Sequence, residues 1–154
     1  MKKTFVMILI LIASVVNAGD NAPWVDMVNC PICKNVSAEE GLAENMKWEH
    51  HLTSTGMMSV FTISPEFQPK FDRAKAGMME KIGEVLNGEK LDICGYCTSV
   101  TSLLKEGVKT DNIITHSGDV TLISSTDEAM IAKIQTHGQK IIKFLSPSHE
   151  NHKH

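Results

Sequence analysis

All four cysteines of this 154-residue chain fall into two C-x-x-C pairs, Cys30-Pro31-Ile32-Cys33 and Cys94-Gly95-Tyr96-Cys97. Each pair puts two sulfurs on one tight turn, and each stands just ahead of a segment that reads as helix. The fold must therefore accommodate four sulfurs arriving two at a time from distant parts of the chain. The second pair repeats the first at an offset of 64 residues, and other landmarks recur nearby in offset: His50 and His116, Gly56 and Gly118, Ser64 and Ser125, Gly77 and Gly138.

The segments between these landmarks follow one plan twice. Ser37 with Glu40 three residues on has the form of a capping box and predicts a short helix from Ala38 to Asn45. Trp48 to Thr53 reads as a strand, Ser54-Thr55-Gly56 as a hairpin turn and Met57 to Ser64 as the return strand. The return strand carries apolar residues on both faces, which predicts a central strand covered on both sides. Ser64-Pro65 then opens a long helix, regular from about Gln68, with Phe67, Phe71, Ala74, Met78, Ile82 and Val85 at helical spacing. The second half predicts a helix over Thr98–Glu106, strands over Asn112–His116 and Val120–Ser124, and a last helix capped by Ser125 or Thr126. That helix has a stripe of Met130, Ile134, His137, Ile141 and Leu145.

The expected fold is α+β: two pseudo-symmetric α-β-β-α repeats, about 24–88 and 89–146, each opened by a C-x-x-C turn and sharing one core with an antiparallel sheet. A hairpin with helices on one face buries too little alone. Two halves about a pseudo-twofold axis share the burden, and equivalent cysteine pairs then meet near that axis.

The termini speak to compartment. Lys2 and Lys3, the apolar run Phe5–Ile12 and the small residues of Val16-Asn17-Ala18 form a signal peptide over 1–18. The run is short for a bilayer span, so no stable membrane insertion is expected after cleavage, and the location is periplasmic or secreted. Residues 19–146 form a single domain and 147–154 a flexible polar tail. Removing Lys2 and Lys3 takes the formal charge from -3 to -5, which argues against nucleic acid as a partner.

Three uses of the sulfurs remain open. Cys30, Cys33, Cys94 and Cys97 match the ligand set of a tetrahedral zinc site, with iron or copper as possible occupants. Both pairs are composed like the knuckles of zinc ribbons and rubredoxins, although 60 residues separate Cys33 from Cys94. His50, His116 and His137 are weaker candidates for nitrogen ligands. Alternatively, Cys94 and Cys97 at a helix start form a thiol–disulfide exchange pair. Thirdly, disulfides staple a non-catalytic binding domain. The Met57-Met58 and Met78-Met79 pairs read as core packing. No phosphate-cradling loop or nucleophile elbow is present, and Glu49-His50-His51 has the wrong order for a zinc-protease helix, so nothing compels an enzyme.

Overall fold

A computed structural model describes residues 23–146. The expected signal peptide over 1–18 and the expected polar tail over 147–154 lie outside the described residues. The chain runs through α1 (Lys34–Ser37), a 3-10 turn (Ala43–Asn45), β1 (Met46–Thr53), β2 (Gly56–Ile63), a second 3-10 turn (Pro65–Phe67) and α2 (Gln68–Leu86). It continues through α3 (Gly95–Lys105), β3 (Lys109–Thr115), β4 (Gly118–Ser124) and α4 (Glu128–Leu145). The four strands make one antiparallel sheet in the order β1-β2-β4-β3. The architecture is α+β.

The central ladder between β2 and β4 has a twofold pattern. Shifting β2 residues by 62 gives their counterparts on β4, and the shift converts the pair Gly56↔Ser124 into Thr62↔Gly118. The centre of the ladder is Ser59↔Thr121. Around it the helices are unequal. The expected helix over Ala38–Asn45 is replaced by the single turn α1, which follows Cys33 directly. The Ser37 hydroxyl does not cap a helix; it donates to Met27 O and Lys34 O. Gly41 at φ 75 then reverses the chain, a backbone conformation that side chains with a Cβ resist. The third helix starts at Gly95 rather than Thr98, with Cys94 as its N-cap residue. The last helix is capped by Asp127, whose Oδ1 accepts from Met130 N at 2.8 Å, not by Ser125 or Thr126.

The expectation that β2 is covered on both sides is half right. It is central, but the helices pack on one face, so its outward residues Met58 and Val60 stay half-buried. On the inner face, α4 lies across β1 and β2, and Ile134 and Ile141 pack with Met57, Leu103 and Ile123. Gly138 lets α4 approach, since a Cβ there would stand 2.7 Å from Leu52 Cδ2. Helix α2 covers the other end through Phe71 and Ala74 against Phe61 and Ile63, and Lys75 pairs with the buried Asp119 of β4. Each aliphatic side chain fully buried here contributes about 1.5–3 kcal/mol. Strand β3 is exposed along its whole length.

Candidate metal centre

Two knuckles carry the sulfurs. In the first, Cys30 O accepts from Lys34 N and Cys33 O from Val36 N, both at 3.0 Å, which closes the turn. Asn35 Nδ2 clamps it from inside by donating to Pro31 O at 3.0 Å and Ile32 O at 2.9 Å. Helix α2 presses on that asparagine at Gly77, where a Cβ would come within 2.3 Å of Asn35 Oδ1. In the second knuckle, Cys94 O accepts from Thr98 N at 2.9 Å and from Thr98 Oγ1 at 3.0 Å. The entry segment holds this turn by main-chain bonds from Gly95 N to Pro23 O and from Tyr96 N to Trp24 O.

The fold brings all four sulfurs together. Every Sγ of Cys30, Cys33, Cys94 and Cys97 lies within 4.8 Å of the others. Cys33 Sγ is 3.3 Å from Cys97 Sγ and 3.7 Å from Cys94 Sγ. Four sulfurs at the corners of a tetrahedron about zinc stand about 3.8 Å apart, from a Zn–S bond of about 2.3 Å. None is at the bonding distance of a disulfide, about 2.0 Å, and all four are free thiols. The third alternative, disulfide staples, finds no bonded pair here. Each cysteine is at most 7 % exposed, and Met27, Met78, Ile82, Ile93 and Tyr96 wall the group. So small a cage has room for one ion. An iron–sulfur cluster brings several irons and sulfides of its own and needs a wider one.

The sulfurs polarise one another. Hydrogen bonds from Cys33 and Cys97 hold the Cys94 thiol far below its ordinary range, helped by backbone N–H groups of Cys97 and Asp26. The same contacts push Cys97 and Cys33 up, Cys97 through Cys33 and Cys33 through Cys94. Burial, then the charges of Cys97, Cys33 and Cys94, raises the Tyr96 hydroxyl as well.

The three histidines lie apart from the sulfur group. His116 is exposed in the β3–β4 turn. His50 and His137 are buried, 8 % and 2 % exposed, with Nδ1 bonded to Ser59 Oγ at 2.8 Å and Ser99 Oγ at 2.9 Å. They belong to an assembly of rings that sequence reasoning missed. Tyr96, projecting between Cys94 and Cys97, packs against Trp24, Trp48 and His137, and Trp48 in turn against His50. Among the described residues, the buried side-chain nitrogens without a partner are Trp24 Nε1, Trp48 Nε1, His50 Nε2 and His137 Nε2, all in this assembly. The only advance signal was the presence of both tryptophans in a chain poor in aromatics.

Burial pushes both imidazoles down to about 4; His137 and His51 add to the effect at His50, and Lys140 at His137. A histidine that binds its proton less tightly when folded costs stability as pH falls below its unfolded value of about 6.5, until both states are protonated near pH 4. Each is expected to remove about 1–2 kcal/mol across that window, after allowance for partial solvent screening. Urea melts at pH 7 and pH 4.5 check this: His137→Gln should lose less stability between the two than the wild type. Equal losses would show that His137 does not titrate in this way.

No family model, no curated protein and no solved structure matches the chain.

Proposed function

We propose that this is an extracytoplasmic protein in which Cys30, Cys33, Cys94 and Cys97 hold one zinc-type ion in a closed structural site. The observation that carries the proposal is the mutual proximity of four buried, unbonded sulfurs. Structural zinc sites use all four positions for protein ligands, whereas catalytic ones keep one open for water or substrate. Here four thiolates complete the shell and the surrounding side chains close it. The ion would join the first knuckle to the start of α3, and so the two halves of the molecule. Zinc suits the set because it has no redox chemistry and no electronic preference against a tetrahedron. Iron fits the same donors; copper(I) is served by soft sulfur but does not require four thiolates.

The exchange reading draws on the lowered Cys94 thiol at the start of α3. Against it, Cys94 is 4 % exposed and Cys97 3 %, so neither sulfur is open to attack on an incoming disulfide. Cobalt(II) substitution separates the readings. A tetrathiolate cage turns cobalt intensely coloured, with thiolate-to-metal and tetrahedral d–d bands that titrate to one equivalent and bleach with zinc. A weak octahedral cobalt spectrum would count against the cage.

A further inference from the structure

Cys33 is the meeting point of the sulfur group. Its Sγ touches both sulfurs of the second knuckle, Cys97 at 3.3 Å and Cys94 at 3.7 Å. It is also the most exposed of the four, at 7 %, against 2 % for Cys30, 4 % for Cys94 and 3 % for Cys97. An incoming protein disulfide is too large for so narrow an opening, whereas a peroxide is only two oxygens. The sulfur that meets a small oxidant first is therefore the one already in contact with partners from the other half of the chain.

The elements behind the sulfurs hold that contact in place. Cys33 stands directly before α1, which packs on α2, and Asn35 clamps the carbonyls of Pro31 and Ile32 in the same knuckle. Cys97 lies in the first turn of α3, and its carbonyl accepts from Thr101 Oγ1 at 2.8 Å. The two sulfurs need close only from 3.3 Å to about 2.0 Å to bond, a shift within reach of side-chain rotation.

We infer that the site is a peroxide-sensitive latch, in which oxidation joins Cys33 to Cys97 and frees the ion. The inference rests on the four-thiolate reading above. The Cys33 thiolate attacks one oxygen of hydrogen peroxide; the O–O bond breaks, leaving a sulfenic acid and hydroxide. The Cys97 thiolate then attacks the Cys33 sulfur, the S–O bond breaks and a second hydroxide leaves. Two thiolates have given up two electrons, and one peroxide has taken them. Cys30 and Cys94 remain, and two ligands do not make a closed tetrahedral shell. The new bond ties together the halves that the ion had joined.

The test treats metal-loaded protein with hydrogen peroxide. A chromogenic chelator reads the freed ion, and proteolysis with mass spectrometry maps the disulfides after free thiols are alkylated. The expected result is one ion released per chain, a Cys33–Cys97 link and an unchanged far-ultraviolet circular dichroism spectrum. Reductant with added zinc should then restore the starting state. Dimedone, which traps sulfenic acids, should label Cys33 ahead of the other three. Links confined to Cys30–Cys33 and Cys94–Cys97, or an ion retained under excess peroxide, would overturn the latch and leave the four-thiolate site standing. Protein that carries no metal before peroxide is added would overturn both.

Discussion

Cys97→Ser is expected to lower stability by at least about 4 kcal/mol in the presence of zinc and to abolish stoichiometric metal. The size follows from how metal binding couples to folding. Structural zinc contributes about 10–16 kcal/mol of apparent binding energy in small finger domains, against a total stability of about 5–15 kcal/mol for an ordinary domain. Removing one thiolate of four forfeits a large share of it. Cys97 is also a core residue, buried at 3 % exposure, so part of any loss comes from packing. Chelator separates the two. With metal stripped from both proteins, the wild type and Cys97→Ser should differ by only about 1 kcal/mol, since serine is smaller and more polar but not grossly misplaced. Thermal melts of both proteins, with zinc and with chelator, supply the four values. An unchanged difference in chelator would show that the sulfur serves packing alone.

The second large effect is expected at the two ends of the central β2–β4 ladder, where Gly118→Ala and Gly56→Ala should each cost about 3 kcal/mol or more. Gly118 has φ 136, and a Cβ there would stand 1.9 Å from Phe61 O. Gly56 has φ 153, and its Cβ would stand 2.1 Å from Ile123 O. These are related positions, since shifting Gly56 and Phe61 by 62 gives Gly118 and Ile123. In both cases the obstacle is backbone in the β2–β4 ladder, which cannot swing aside as a side chain can. The cost therefore combines an unfavourable φ with a displaced ladder. Two glycines serve as references. Gly88 at φ 99 has nothing within 4 Å of its notional Cβ, so Gly88→Ala should cost only about 1 kcal/mol of backbone strain. Gly83 lies inside α2, also with open space, and Gly83→Ala should stabilise by about 0.5–1 kcal/mol. Urea melts of the four variants rank the effects. If Gly118→Ala proved no worse than Gly88→Ala, the close β2–β4 approach would be wrong.

Much of this fold was legible in local signals. Apolar residues on both faces of Met57–Ser64 identified a central strand, and the stripe on α4, including Ile134 and Ile141, identified the face that packs on the sheet. The cysteine spacing identified the four sulfurs that the fold brings together. What escaped was decided by contacts between distant residues. Ser37 and Glu40 have the letters of a capping box, yet the Ser37 hydroxyl turns to Met27 O and the helix is already over at Ser37. Apolar residues on both faces of β2 suggested cover on both sides, but a local pattern cannot say where a second layer comes from. His137 was seen on its stripe and His50 on its strand. Their serine partners, 38 and 9 residues away, and the rings around Tyr96 are tertiary facts.

The most direct test of a shared sulfur centre is metal content measured together with thiol reactivity on one preparation, purified without chelator. One zinc-type ion per chain, four thiols that resist a thiol reagent in the native protein, and four that react once chelator and denaturant are added would be the expected result. Metal-free protein with two reactive thiols, or with sulfurs that react only after reduction, would contradict a common four-thiolate site.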